Sequence, residues 1–301
     1  NGGTNAVTGV GFQPDLIWIK ERSSTSSHNL VDAVRGVTKR ISSDNTGVEE
    51  TLSGIVSSFD SDGFTNGADN GVNENSQTYV AWNWKANGQG SSNTDGSINT
   101  TYTSVSTVSG CSISKYTGTG SNATVGHGLG VAPKMIIFKR LDSADDWTVY
   151  HHIFGATKKI DLNNTGAVST VSSVFNDTEP TSTVMSVGTN GRTNASGGTY
   201  IVYAFAEKTG FSKFGQYTGN GNADGAFIYT GFRPEFVMVR RYDNTEEWQM
   251  TDAARDKAVS PNFARLKADN TTAESTNTTW AKIEKFSNGF KLGGTDSVSN
   301  G

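Results

Sequence analysis

The side chains of this sequence that could carry out chemistry are few and scattered. His151 and His152 are its only adjacent histidines. Because neighbouring residues on a strand point to opposite faces, this pair could not bind one metal ion together. His127 lies in a Gly-His-Gly-Leu-Gly turn, and no Gly-x-Ser-x-Gly nucleophile elbow accompanies it. We therefore expect neither a metal centre nor a catalytic triad.

Three acidic motifs could serve calcium binding or hydrolysis. Asp60-Ser61-Asp62-Gly63 begins like a calcium loop but lacks the bidentate Glu that completes one. The pairs Asp145-Asp146 and Glu246-Glu247 stand beside tryptophans, as carboxylates do in a glycosidase cleft. At the matching place near the start of the chain stands Ser27-His28 instead. We predict no catalytic residue and no cofactor, with a polysaccharide-degrading enzyme as one alternative.

Aromatic side chains offer another chemistry, because their faces can stack on sugar rings. Trp147, Tyr150 and Trp248 are the candidate glycan contacts. Trp82 and Trp84 lie two apart on a predicted strand and share one face, which we assign to the core. A carbohydrate-binding module of a secreted or cell-surface protein is therefore a further alternative.

One strand motif organises the chain and occurs three times. Each copy has a Gly-x-x-Pro turn, an apolar and β-branched run and a basic end, at residues 11–22, 130–140 and 231–241. This pattern predicts a strand that is entered through a rigid corner. A motif that recurs in this way predicts several copies of one structural unit.

Other features keep a fixed distance from the proline of the motif. Trp147 and Trp248 each lie 14 positions after it, and an Asn-Thr turn follows in every copy: Asn45-Thr46, Asn164-Thr165 and Asn270-Thr271. The spacing of about 100 residues suits one small domain. Short strand signals separated by turn residues then predict an all-β protein of three tandem β-sandwich repeats, jelly-roll or lectin-like in arrangement.

The repeats divide the chain into four parts. We predict β-sandwich repeats at 1–86, 110–208 and 209–301, and a flexible Gly/Ser/Thr/Asn-rich linker at 87–109 that contains a strand signal at 102–108. The first repeat lacks its first strand and the third lacks its closing strand. We expect that the sequence is a window on a longer chain, or that a neighbouring chain donates the missing strand.

Composition excludes several classes of partner. The net charge is −4 and no basic block stands out, so we expect no binding to nucleic acid. No run of 18 apolar residues exists, so we expect no insertion into a membrane. Cys111 is the only cysteine and is predicted to be a small buried core residue.

Several phrases of the second and third repeats resemble a known type of domain. They are Tyr217-Thr218-Gly219-Asn220-Gly221, Gly231-Phe232-Arg233-Pro234 and the stretch 194–207. They are similar to an uncharacterised repeat domain of bacteriophage virion proteins, especially those of marine phages, which occurs in tandem in tail-fibre-like and other structural proteins. The resemblance covers nearly the whole chain, and the first repeat departs most, with Trp82-Asn83-Trp84-Lys85 at its close.

The resemblance implies a structural role and supplies no active residues. Our leading hypothesis is a virion structural protein, in a tail fibre, spike or capsid-attached appendage, that serves assembly and attachment to the host surface. The expected location is the virion or another extracellular site. The expected partners are further copies of the chain in a homo-oligomer, other virion proteins and a host-surface glycan.

Overall fold

The chain folds almost entirely into short strands. The computed structural model describes residues 2–256, 263–276 and 282–301. Strands hold 38% of the residues and helices 4%, and the sheets do not close into barrels. The all-β prediction is therefore confirmed. In the described ranges no helix has the length and apolar character needed to cross a membrane.

The first segment, residues 2–86, contains two main sheets. Its elements are β1 Asn5–Thr8, β2 Leu16–Glu21, β3 Asn29–Asp32, β4 Lys39–Arg40, β5 Glu50–Thr51, β6 Val56–Asp60, β7 Gly63–Asn66, α1 Asn70–Asn73 and β8 Tyr79–Trp84. One sheet has the order β3-β2-β8 and the other β1-β7-β6, while β4 pairs with β5. All these pairings are antiparallel.

The second segment, residues 87–208, is built on a seven-stranded sheet. Its elements are β9 Tyr102–Ser106, β10 Cys111–Thr117, β11 Ala123–Gly126, β12 Met135–Arg140, β13 Thr148–His151, β14 Lys158–Asp161, β15 Ser169–Thr170, α2 Ser172–Phe175, β16 Val184–Val187, α3 Gly191–Asn194 and β17 Thr199–Phe205. The sheet order is β15-β14-β13-β12-β17-β10-β9, and β11 pairs with β16.

The stretch 87–109 is packed against the strands of residues 110–208, whereas the sequence predicted a flexible linker. The strand signal within it is real, because β9 pairs along β10. The hydroxyl of Thr103 lies 2.9 Å from that of Thr100 and 3.1 Å from that of Ser114. Because buried hydroxyls that bond one another avoid the cost of desolvation, a polar, low-complexity sequence can be packed here.

The third segment, residues 209–301, has fewer paired strands than the other two in the part of it that the structure describes. Its elements are β18 Asp224–Tyr229, β19 Phe236–Val239, β20 Gln249–Asp252, β21 Leu266–Lys267, β22 Lys282–Phe286 and β23 Gly289–Gly293. They form two sheets, with the orders β18-β23-β22 and β19-β20-β21.

The three motif strands, β2, β12 and β19, contribute side chains to two cores each. On one face, Ile17, Ile136 and Val237 and their neighbours pack within their own segment. On the other face, side chains of all three strands enter one shared cluster, the central core: Leu16, Trp18, Met135, Ile137, Phe236 and Met238. A strand covered on both faces needs a continuous apolar run, which explains why the motif does not alternate.

Candidate functional site

The predicted glycan contacts lie in the interior. Trp147 is 0% exposed, Tyr150 3% and Trp248 8%. The Tyr150 hydroxyl donates to the carboxylate of Glu179, and its ring packs edge-on against Phe175. The prediction of sugar stacking at these three residues is corrected, because none of the rings offers a free face. Trp82 is also buried, as the alternation of its strand predicted.

The indoles of Trp147 and Trp248 instead link one segment to another. The Nε1–H of Trp147, in the second segment, donates to the carbonyl of Ser42 in the first at 2.9 Å. The Nε1–H of Trp248, in the third segment, donates to the carbonyl of Asp161 in the second, also at 2.9 Å. Burial without a partner would leave each N–H unsatisfied, so these bonds fix where the rings can lie.

His28 makes the third contact of this kind. It lies 14 positions after Pro14, as Trp147 does after Pro133. Its Nε2 is 2.9 Å from the carbonyl oxygen of Lys267, in the third segment. We call the three contacts joints: Trp147 to Ser42, Trp248 to Asp161, and His28 to Lys267. Their order is second to first, third to second and first to third, so they close a ring.

Backbone hydrogen bonds repeat the same cyclic order at every joint. The amides of Ser26, Asp145 and Glu246 donate to the threonine carbonyls of the three Asn-Thr turns, Thr271, Thr46 and Thr165. In the opposite direction, Glu49 donates to Leu141, Val168 to Tyr242 and Glu274 to Arg22. Each joint therefore contains one hydrogen bond from an aromatic side chain and two main-chain hydrogen bonds.

A lysine or arginine lies six positions after each motif proline, and two of these residues bond backbone carbonyls at the joints. Lys139 donates from Nζ to the carbonyls of Thr46 and Asp145, at 3.1 and 2.9 Å. Arg240 donates to the carbonyls of Asp161 and Gly166 and lies 5.3 Å from the ring centre of Trp248. Burial lowers the pKa of Lys139 to about 8, partly offset by nearby Asp145 and Asp146. These cations bind turn carbonyls and thereby brace two joints.

The chemistry of His28 can be read from its neighbours. The indole of Trp18 can only donate, and its Nε1–H lies 2.7 Å from Nδ1 of His28. Nδ1 is therefore the acceptor, and Nε2 carries the proton donated to Lys267. Burial lowers the pKa of His28 to about 4, although Asp44 opposes the shift. The imidazole is neutral at pH 7 and acts as a structural donor and acceptor.

Paired Asp and Arg residues connect the segments beside two of the joints. Arg35 bonds Asp32 at 2.5 Å, and the hydroxyl of Tyr203, in the second segment, donates to the same carboxylate at 2.7 Å. Arg255 bonds Asp252 at 2.6 Å, and the indole of Trp82, in the first segment, donates to that carboxylate at 3.0 Å. Tyr203 and Trp82 are central residues of β17 and β8. Each of these strands is therefore linked to a neighbouring segment by a hydrogen bond to a carboxylate.

The acidic motifs also serve the fold. Asp62 accepts from the amides of Gly9 and Gly11, so the calcium-like turn uses its carboxylate as a backbone acceptor. Glu247 pairs with Lys267 at 2.6 Å, and Asp146 with Arg192 at 2.6 Å. In the described ranges, no cluster of three or more His, Cys, Asp or Glu residues could hold a metal ion.

The remaining reactive residues are likewise engaged. His127 is buried, and its Nδ1 accepts from the amide of Leu129 at 3.1 Å. His151 and His152 stack with ring centres 5.1 Å apart, and burial lowers the pKa of His151 to about 4. Cys111 is buried, which raises its pKa to about 12, so its thiol remains protonated and unreactive. The prediction that it is a core residue is confirmed.

Exposed aromatic rings occur on the outer face of the β18-β23-β22 sheet. Phe227, Tyr229 and Phe286 are 47%, 67% and 43% exposed. The rings of Phe227 and Phe286 are 6.0 Å apart in an edge-on arrangement. We name these three residues the aromatic face. Val7 and Gly126 occupy the place of Phe227 in the other two segments, counted from the motif proline.

The cavities found in the described ranges are small. The best-formed cavities of the described ranges have volumes of about 10 Å³, roughly the space of one water molecule. One is lined by Gln249, Thr251, Phe263, Arg265 and Ile283. Neither of these cavities has room for a bound organic molecule.

Comparison with known proteins identifies a family. The family model described as "Domain of unknown function (DUF7483)" matches residues 1–301. The chain belongs to the DUF7483 family. No curated protein and no solved structure matches it. The joints described above are thus structural features of a DUF7483 chain.

Sequence reasoning found part of the joints of this DUF7483 chain. The fixed offset of Trp147 and Trp248 was visible, and so was Ser27-His28 at the same place. The acceptors were not, because they are backbone carbonyls of unlike residues: Ser42, Asp161 and Lys267. A usable signal does exist, since Asn45-Thr46, Asn164-Thr165 and Asn270-Thr271 each begin three residues after the acceptor.

Proposed function

We propose that this chain is a non-catalytic structural component of a bacteriophage virion. In this proposal, three tandem β-sandwich repeats close into a ring within a tail fibre, spike or capsid-attached appendage. The part acts in assembly and host attachment, with other virion proteins and further copies of the chain as partners. The proposal rests on the resemblance of the strand motifs to a virion repeat domain and on one structural observation, the ring of joints.

The ring of joints favours a structural role for a physical reason. Five of the rings and charged groups that could have done chemistry are committed to contacts between segments. Trp147, Trp248 and His28 bond carbonyls of neighbouring segments, and Lys139 and Arg240 bond turn carbonyls. Head-to-tail contacts that close on themselves give a self-limited unit, which suits a building block of an ordered particle.

Labelling of purified particles tests this function. An antibody against the chain, with immunogold imaging and mass spectrometry, should place it on a phage particle as part of a symmetric appendage. The unrelated soluble proteins of the same lysate serve as the control for carry-over. The proposal fails if the chain is found only as a free protein and never copurifies with particles.

Glycan binding is the second candidate, now placed on the aromatic face. Phe227 and Tyr229 lie two residues apart on β18 and are both exposed, so their rings could cover neighbouring sugar units. Lys291 pairs with Asp224 on the adjoining strands, and charged groups of this kind can bond sugar hydroxyls. This arrangement suits a surface ligand, in keeping with the small cavities of the described ranges.

A glycan array distinguishes this candidate. Binding to bacterial surface polysaccharide should fall about tenfold in Tyr229→Ala, a loss of about 1.4 kcal/mol, while thermal stability stays unchanged. Val108→Ala, at a site 87% exposed in the second segment, is the matched control. Equal binding by Tyr229→Ala and the parent chain would remove the aromatic face from consideration.

A further inference from the structure

His28 uses both of its ring nitrogens at the joint between the first and third segments. Its Nδ1 accepts from the indole of Trp18 at 2.7 Å, and its Nε2 donates to the carbonyl of Lys267 at 2.9 Å. The residue is 0% exposed. Because Nε2 already carries a proton, the imidazole can take up a second proton only at Nδ1.

A proton on Nδ1 would place two hydrogen-bond donors against each other. The indole of Trp18 can only donate, and Trp18 is buried in the central core. Its ring lies 5.7 Å from the imidazole and 6.1 Å from the ring of Trp82, both in edge-on contacts, so it has little room to turn away. A buried donor without an acceptor and a buried charge are both costly. Movement of the imidazole would relieve both costs.

An acceptor for the protonated ring lies within the first segment. The carboxylate of Asp44 accepts from the backbone amide of His28 at 2.7 Å and from the hydroxyl of Ser27 at 3.0 Å. Since that amide and the imidazole belong to one residue, a change of side-chain rotamer can bring a ring N–H to the same carboxylate. Asp44 is partly exposed, so water reaches this position. The move exchanges a bond between segments for a bond within one segment.

The charges of the first segment make this exchange depend on pH. Burial lowers the pKa of His28 to about 4 in the closed joint; Asp44 opposes the shift and the ammonium of Lys20 adds to it. Lys20 is itself buried and donates to the carbonyl of Glu21 at 2.6 Å. Beside Asp44 and in contact with water, the imidazole has its ordinary pKa of about 6.5 or a higher one. Acid therefore favours the open arrangement.

The charged groups of the third segment near this joint have partners of their own. The ammonium of Lys267 bonds Glu247 at 2.6 Å, and the carboxylate of Asp269 accepts from a backbone amide of its own segment at 2.9 Å. Although burial opposes the shift, bonds to two arginines lower the pKa of Glu274, so its ion pairs persist while His28 is protonated. His28 is thus the group of this joint whose bond to the other segment changes first in acid.

The two tryptophan joints offer a built-in comparison. Trp147 and Trp248 donate to the carbonyls of Ser42 and Asp161, each at 2.9 Å. An indole gains no proton between pH 7 and pH 4. Each joint also contains two main-chain hydrogen bonds. The three joints can therefore be compared bond by bond, with a titrating ring in one of them.

We propose that protonation of His28 opens the joint between the first and third segments while the other two joints stay closed. The imidazole leaves Trp18 and Lys267 and pairs with Asp44. The fraction of chains in which the two segments have separated at this place rises, and water gains access to the edge of the central core at Trp18. This acid-sensitive device goes beyond the proposed function, since it uses contacts within one chain only.

Residue-resolved hydrogen exchange of the 301-residue chain at pH 7 and pH 4.5, corrected for intrinsic rates, tests the proposal. The amides of Ser26 and Glu274 bond across the His28 joint, and those of Asp145 and Glu246 across the other two. Protection of the first pair should fall about 50-fold, as expected for one group with pKa values of about 4 closed and 6.5 open. Protection of the second pair should stay nearly constant.

Nuclear magnetic resonance follows the same event at the side chains. The indole N–H of Trp18 should begin to exchange with solvent in acid, whereas those of Trp147 and Trp248 should remain protected. The ring nitrogens of His28 should change from a neutral imidazole protonated at Nε2 to a charged ring over the same pH range.

Two variants assign the response to its residues. His28→Gln keeps one donor and one acceptor but does not titrate, so the amides of its joint should keep their protection at pH 4.5. Asp44→Asn removes the charge that receives the protonated ring, so opening should begin at a lower pH. Asp243→Asn, which breaks an exposed pair with Arg241, is the matched control and should respond as the parent chain does.

Three results would overturn the proposal. Equal loss of protection at all three joints would indicate general acid unfolding. Full protection of Ser26 and Glu274 at pH 4.5 would show that the joint stays closed, and a parental response in His28→Gln would assign the opening to another group. If His28→Gln does not fold, the pH at which Asp44→Asn opens decides. The chain is measured alone in solution, so particle labelling and this experiment can fail separately.

Discussion

The joints at Trp147 and Trp248 make the same contact as the joint at His28 with a different chemistry. The tryptophans each donate one N–H and fill their site with a large ring. His28 has a smaller ring, and Trp18 occupies the adjoining space at a position where the other segments have Ile137 and Met238. The closed arrangement of the three segments therefore needs a hydrogen-bond donor and a given side-chain volume at this position. More than one residue type can supply them.

The His28 joint also has an ion pair between segments, which the tryptophan joints lack in the described ranges. Arg22 forms a two-pronged bond to Glu274, at 2.8 and 2.7 Å, and Arg255 reaches the same carboxylate at 2.9 Å. The hydroxyl of Ser43 donates to the carbonyl of Ala268 at 2.7 Å. An ion pair thus accompanies the smaller ring, and the imidazole of His28 makes this the joint that we expect acid to weaken.

The largest expected effect comes from removing a tryptophan joint. Trp147→Ala deletes a fully buried ring and its bond to Ser42. The free energy of unfolding should fall by about 3–5 kcal/mol, because the cavity cannot collapse in a core shared by three segments. Urea denaturation measures this change. Tyr229→Ala, at a site 67% exposed, should change it by less than about 0.5 kcal/mol, and equal losses would contradict the comparison.

Acid should weaken the His28 joint before the tryptophan joints. The folded pKa of His28 is about 4, below the ordinary 6.5, so the unfolded chain binds a proton that the folded chain excludes. The contribution of neutral His28 to the free energy of unfolding is fully present above pH 6.5. It is lost as the pH falls towards 4, and the loss is about 2–3 kcal/mol. His151 titrates with the same sign.

His28→Gln separates this contribution from that of other groups. Glutamine keeps one donor and one acceptor but does not titrate. Urea midpoints at pH 7 and pH 4.5 should therefore differ less in His28→Gln than in the parent chain. An unchanged difference would show that His28 does not set the acid response.

A smaller loss is expected when the charged reinforcement of the His28 joint is removed. Glu274→Gln weakens the bonds to Arg22 and Arg255 and leaves Arg255 paired with Asp252 alone. The cost should be about 2 kcal/mol at low salt, since these are charge-assisted bonds of a largely buried carboxylate. Asp243→Asn, which breaks an exposed pair with Arg241, is the control and should cost almost nothing.

The smallest expected effect is the coupling energy of a double-mutant cycle at the His28 joint. Trp18→Ile and His28→Trp together give the first segment the residue types of the second, Ile137 and Trp147. Alone, the first change leaves a gap and the second overfills the site. Their coupling energy should favour the double variant by about 1–2 kcal/mol, and its acid response should decrease. Additive effects would mean that the joints are not interchangeable.

The fold class and many strand positions follow from sequence, because a turn at Gly-x-x-Pro and a run of β-branched residues act locally. The motif at 231–241 predicted β19, and the signal at 102–108 predicted β9. The prediction that Cys111 is a buried core residue was confirmed. Period and turn chemistry are written in residue types, so they can be read without knowing what a segment touches.

Only the tertiary structure decided which face of an aromatic residue is free. Trp147 and Trp248 looked like surface rings beside acidic pairs, but both donate to backbone carbonyls of another segment. Carbonyls carry no mark of residue type, and Ser42, Asp161 and Lys267 share only their place three residues before an Asn-Thr turn. The central core likewise forms only when three segments meet, so its extent depends on distant contacts that no local pattern encodes.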